Sequence, residues 1–130
     1  MTGTWDPEQY GRFEAERQQP FDDLLARCRP VPGGTVVDLG CGTGRLTAEL
    51  HRASGAARTV GVDSSPAMLA EAPAGVAGLS FLQGDLAGWD GPAVDLVFAN
   101  ASLQWVGDHP ALLARLRRYL RPGGQLAFQV

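Results

Sequence analysis

The spacing of apolar positions changes near residue 35. Before it, the spacing is helical. Tyr10 and Phe13 fall on one face, Asp6 suits a cap, and Pro7 suits a first turn. Pro20 predicts a break, after which Phe21, Leu24, Leu25 and Cys28 predict a second helix. Pro30, Pro32, Gly33 and Gly34 end it in a turn. Beyond that turn, short β-rich runs alternate with helical patterns. Strands are predicted at Thr35–Leu39, Thr59–Val62, Leu79–Leu82, Val94–Ala99 and Gln125–Val130. Leu46, Leu50 and Ala53 mark one intervening helix face. Ser65-Pro66 starts another helix, with Met68, Leu69 and Ala72 behind it. Asp108 can cap a third, which carries Leu112, Leu113, Leu116, Tyr119 and Leu120. Pro122-Gly123-Gly124 then turns the chain into the last strand.

Strands this uniformly apolar need cover on both faces. Alternation with helices and right-handed crossovers therefore predict an α/β fold, a doubly wound, Rossmann-like sheet of mainly parallel strands. The 130 residues make one domain. Residues 1–34 form a helical segment ahead of a core at 35–130. In such folds ligands bind at the carboxyl ends of the strands.

Composition narrows the chemistry. Net charge is −3, which argues against a nucleic-acid surface. All 11 basic residues are arginine, so Schiff-base lysine chemistry and a P-loop lysine are excluded. No apolar run approaches 18 residues, so no membrane helix is expected. Met1–Asp6 has no basic or apolar run of the kind a signal peptide needs, and a cytoplasmic location with reduced thiols is expected. Cys28, Cys41, His51 and His109 fit no zinc spacing, so no metal is expected, and both histidines read as surface residues.

The candidate chemistry gathers at strand ends. Val36-Val37-Asp38-Leu39-Gly40-Cys41-Gly42-Thr43-Gly44 runs from a strand through three glycines toward a helix. Glycine permits a sharp turn and close approach of a ligand to the backbone. The dinucleotide fingerprint G-x-G-x-x-G would need glycine where Arg45 stands, which opposes a nicotinamide cofactor. Asp38 reads as a partner for loop amides. Asp63 ends the second predicted strand and can accept from both hydroxyls of a ribose. Asp85 ends the third, and with Leu86 it suits an adenine amino group and ring. Asn100 stands at the end of the fourth. Arg17 reads as a solvated helix arginine, with attraction of acceptor carboxylates as the alternative. Phe98 and Trp105 read as core.

Together, Val36–Gly44, Asp63, Gly84-Asp85 and Asn100–Trp105 resemble the class I S-adenosylmethionine-dependent methyltransferases. Trp5-Asp6-Pro7, Tyr10, Phe13, Arg17, Pro20-Phe21 and the run Asn100–Trp105 resemble the branch that methylates small acids such as trans-aconitate. The resemblance implies that S-adenosylmethionine is the cofactor. It implies that Gly40, Gly42 and Gly44 wrap its methionine end, Asp63 holds the ribose, and Asp85 and Leu86 hold the adenine. It also implies that Asn100 lines the amino-acid end and that the first helix, with Tyr10, covers the site. The full cofactor-binding set is Tyr10, Asp38, Gly40, Cys41, Gly42, Gly44, Asp63, Ser64, Met68, Asp85, Leu86 and Asn100. No catalytic residue is assigned, because an ionised acceptor carboxylate needs no general base. Another small-molecule acceptor, a phenol or a quinone-like carbon, stays open, as does a binding module without activity. Members of this family usually continue well past a fifth strand, so the chain reads as a cofactor half cut from a longer enzyme. Its last strand is then an exposed edge that could pair between copies.

Overall fold

The structure, a computed structural model, describes residues 7–85, 91–100 and 109–129; the side chains of residues 7, 10, 11, 13 and 14 are not described. In chain order the elements are α1 (Pro7–Ala26), β1 (Thr35–Leu39), α2 (Arg45–Ser54), β2 (Arg58–Asp63), α3 (Pro66–Leu69), β3 (Leu79–Gln83), β4 (Val94–Asn100), α4 (His109–Arg117) and β5 (Leu120–Gln129). The strands form one sheet in the order β3-β2-β1-β4-β5, and every pairing is parallel. The strand order reverses between β1 and β4, which opens a crevice at their carboxyl ends.

Successive side chains of a strand point to opposite faces. Val36, Leu96 and Phe98 therefore pack against Phe21 and Leu24 of α1 and Leu46 and Leu50 of α2. Val37, Leu39, Val62, Val97 and Ala99 pack on the other face with Leu112 and Leu116 of α4. Leu50 has no exposed surface. Leu50→Ala is expected to cost about 2–5 kcal/mol, measured as a lowered urea midpoint.

Three local readings need correction. Pro20 does not divide the first helix; it lies inside α1. Proline removes one helical donor, at about 3 kcal/mol or more. Burial of Phe21 and Leu24 on the same face offsets that loss, and the Pro20 carbonyl accepts from Gln129 Nε2 at 2.8 Å. Next, Pro122-Gly123-Gly124 does not precede the last strand; it is a bulge inside β5. Val94 pairs with Leu120 and Leu96 with Gln125, so the extra residues loop out, and Gly123 takes φ 81° there. Leu120 is thus a strand residue. Finally, Ala53 faces solvent, whereas Thr47 and Ser54 join Leu46 and Leu50 on the buried face of α2. The start at Ser65 stands: its Oγ accepts from the Met68 N–H at 3.3 Å, but α3 is only four residues long and ends before Ala72. Asp6, Trp105 and Asp108 lie outside the described residues. Among the described residues, no helix is long and apolar enough to cross a membrane.

Candidate functional site

The glycine loop leaves β1 in left-handed conformations, with φ of 78° at Gly40, 60° at Gly42 and 82° at Gly44. The end of β2 receives three consecutive loop amides. The N–H groups of Gly40 and Cys41 donate to the Val62 carbonyl at 2.7 and 3.0 Å, and the Gly42 N–H donates to Asp63 Oδ2 at 2.9 Å. The other Asp63 oxygen accepts from the Ser65 N–H at 2.9 Å. Asp63 thus fixes both the loop and the entry to α3. Gly44 then begins α2 without a side-chain cap.

Phe81 was not singled out by its sequence. A Cβ on Gly44 would lie 2.5 Å from its Cε1, and one on Gly61 would lie 2.7 Å from its Cδ1 and 3.0 Å from Cys41 Sγ. The Phe81 ring therefore crosses β2 at Gly61 and presses on the loop. Gly44 is small for the sake of this packing as well as for its backbone angle. A glycine in the middle of a strand, as at Gly61, is the signal that a neighbour approaches closely.

Asp38 is buried beneath the loop, and Thr47 Oγ1 donates to its Oδ2 at 2.7 Å. The carboxylate seen holding a loop amide is that of Asp63, while Asp38 is bound to a hydroxyl of α2. Burial raises the Asp38 pKa from its ordinary 3.8 to about 6; the Thr47 bond and the Arg17 charge oppose the rise, and the Asp63 charge adds to it. The folded state therefore keeps a proton that the unfolded chain releases between about pH 4 and pH 6. Stability from this group is full below about pH 4 and declines as pH rises through about 6, by something on the order of 2–3 kcal/mol. Asp38→Asn is expected to remove that decline, read from urea midpoints of parent and variant at pH 4 and pH 7. Cys41 is also buried, and burial, followed by the charges of Asp38 and Asp63, pushes its thiol far above the usual range. It is no nucleophile at neutral pH.

Asn100 ends β4 and is 3% exposed. Its Oδ1 accepts from Gln129 Nε2 at 2.5 Å, and its carbonyl accepts from Arg17 Nη2. Its Nδ2 is buried without a hydrogen-bond partner among the described residues. Arg17 is not a solvated helix arginine: it is half-buried, with its guanidinium turned onto the end of β4.

The structure thus gathers Asp38, Gly40, Cys41, Gly42, Gly44, Asp63 and Asn100 at the carboxyl ends of β1, β2 and β4. Met68 is buried in α3, and Ser64 is exposed, its carbonyl accepting from Gln83 Nε2 at 3.4 Å. Asp85 is exposed and lies two residues beyond the end of β3, rather than ending it. Leu86 lies outside the described residues, and Tyr10 lies in α1 with its side chain undescribed. His51 does structural work at the opposite edge: Nε2 donates to the Ala77 carbonyl at 2.9 Å, which leaves Nδ1 to accept from Thr59 Oγ1 at 2.6 Å. Among the described residues no cluster of His, Cys, Asp or Glu could hold a metal. A cavity of about 520 Å³ lies on the α4 face, with Val37, Val60, Leu82 and Asp85 among its lining residues. It includes no loop glycine, nor Asp38, Asp63 or Asn100, so the clustered polar groups and not the cavity mark the candidate site.

A family of sequences described as "Methyltransferase domain" matches residues 36–124. Trans-aconitate 2-methyltransferase of Deinococcus radiodurans is 51% identical over 128 residues, covering 98% of this chain and 49% of that protein. The chain therefore spans about half the length of the curated relatives it matches. Among solved structures, an S-adenosylmethionine-dependent methyltransferase from Mesorhizobium loti superposes with TM-score 0.75 at 33% identity, over 82% of this chain and 50% of the other. One from Thiobacillus denitrificans, in complex with S-adenosyl-L-homocysteine, gives TM-score 0.69 at 26% identity, over 85% of this chain and 47% of the other.

Proposed function

The chain belongs to the methyltransferase-domain family, and we propose that it binds S-adenosylmethionine at the carboxyl ends of β1, β2 and β4 for methyl transfer to a small carboxylic acid of the trans-aconitate type. The geometry of Asp63 is the observation that carries the cofactor reading. An ionised carboxylate has about four acceptor positions. Gly42 and Ser65 use one on each oxygen, and the remainder suit two ribose hydroxyls. The residues fit the group. Gly40, Gly42 and Gly44 hold a backbone turn with no side chain at the glycines; Asp63 would take the ribose, Asn100 the amino-acid end, and Asp85 with Leu86, beyond the end of β3, the adenine. The donor, when bound, supplies a methyl group already activated by a sulfonium charge.

This chain's own residues orient and exclude water, and well-oriented reactions gain as much as about 7–11 kcal/mol. An acceptor carboxylate is ionised at neutral pH, so no side chain has to move a proton. The lid role falls to helix α1 in this reading, which two hydrogen bonds support: Arg17 to the Asn100 carbonyl and Gln129 Nε2 to the Pro20 carbonyl. The acceptor rests on likeness: the Deinococcus relative at 51% identity is named for trans-aconitate. The test incubates methyl-labelled donor with trans-aconitate and, separately, a phenol. It is run on this chain and on a chimera carrying the Deinococcus protein's remaining half. Label on trans-aconitate alone is the expected result. Label on the phenol alone, or none from the chimera, contradicts it.

A further inference from the structure

We propose that Phe81 is a positioning residue for binding of the methyl donor, its ring fixing where the Gly44 end of the glycine loop lies; the role rests on the function proposed above. Strand register puts the ring there. Gly61 of β2 stands opposite Phe81 of β3 and opposite Asp38 of β1, which in turn stands opposite Phe98 of β4. Residues opposite one another in a parallel sheet share a face. This is the face that α1 and α2 cover, since Phe98 packs there. Gly61 leaves a gap in the row, and the Phe81 ring leans into it. Its Cδ1 lies 2.7 Å from where a Gly61 Cβ would stand, and Cys41 Sγ borders the same point at 3.0 Å. The ring then reaches Gly44: Cε1 and Cζ lie 2.5 and 2.6 Å from the position of a Cβ there, with Pro73 Cδ farther off at 3.2 Å. Phe81 is half-buried although Ser80 and Leu82 beside it are exposed and β3 is an edge strand of the sheet. The loop therefore has two supports. β2 binds its first half through the Gly40, Cys41 and Gly42 amides. Phe81 meets the second half, where Gly44 opens α2. Glycine backbone is the freest to move when it is not braced. Without the ring, part of the population holds the loop away from the geometry that receives the ligand, and apparent affinity falls by that fraction.

Calorimetry with S-adenosylhomocysteine on the parent chain, Phe81→Ala, Phe81→Leu and Leu116→Ala tests the role. Leu116 is fully buried beneath α4 on the opposite face of the sheet, so its truncation lowers stability without touching the loop. Circular dichroism and urea denaturation establish that each variant is folded at the titration temperature. Phe81→Ala is expected to bind about fivefold more weakly than the parent, as when the competent loop falls to about a fifth of the population. Phe81→Leu, which refills part of the space, is expected to lose less, and it carries the test if Phe81→Ala does not fold. Leu116→Ala is expected to bind as the parent does. Parent-like affinity in the folded Phe81 variants overturns the proposal. So does an equal loss in Leu116→Ala, because that marks lowered stability alone. A parent chain that does not bind S-adenosylhomocysteine overturns the proposed function itself.

Discussion

Asp63→Ala is expected to weaken S-adenosylhomocysteine binding by at least about tenfold, the largest loss from any single side chain in the site. Hydrogen bonds to charged groups contribute roughly 1.5–3 kcal/mol each. The substitution removes the proposed contacts to two ribose hydroxyls. It also frees the Gly42 and Ser65 amides, which the carboxylate holds at 2.9 Å each. The loop would then have to be ordered by the ligand, which lowers affinity further. Asp63→Asn separates the two contributions, since it keeps one acceptor oxygen and turns an N–H group toward a backbone N–H. Calorimetry on the folded variants, checked by circular dichroism, reads the effect. Parent-like affinity in Asp63→Ala would remove β2 from the site.

Gly44→Val is expected to lower stability by about 2–5 kcal/mol. A residue with a Cβ pays roughly 1–2 kcal/mol in the left-handed region, and φ at Gly44 is 82°. Overpacking adds about 1–3 kcal/mol, and here the new Cβ would stand 2.5 Å from Phe81 Cε1. The two contributions are separable. In a Phe81→Ala background the collision with the ring disappears, while the closer packing against Pro73 Cδ, 3.2 Å from the new Cβ, and the backbone strain remain. The double variant should therefore be more stable than the sum of the single losses predicts, by about 1 kcal/mol or more. Strict additivity in urea denaturation would show that Phe81 does not press on the loop.

The parallel sheet was legible because strands covered on both faces are apolar almost throughout, and β1 falls on the predicted Thr35–Leu39. The glycine loop was legible because left-handed angles select glycine at Gly40, Gly42 and Gly44. What failed were local rules overruled by distant contacts. Proline signals a helix break, yet Pro20 sits in α1, where the residues that follow it, Phe21 and Leu24, are buried against the sheet. Pro-Gly-Gly signals a turn between elements, yet β4 keeps pairing on both sides of it. Within the site, spacing placed Asp38, Asp63 and Asn100 at strand ends but not their partners. The Thr47 bond to Asp38 joins residues nine apart across the loop, and the Arg17 bond to Asn100 joins residues 83 apart. Such pairs exist only once α1 and α2 have docked. The role of Phe81 was hidden for the same reason, since its ring acts on glycines of two other elements.

The central claim is that one ligand site spans the glycine loop, Asp63 and Asn100. It is tested most directly by amide chemical shifts of the isotope-labelled chain titrated with S-adenosylhomocysteine. The account predicts saturable shifts at Gly40, Cys41, Gly42, Gly44, Asp63 and the Asn100 side-chain amide, with none on adding NAD. Shifts confined to Val37, Val60 and Leu82, around the cavity on the α4 face, would contradict it.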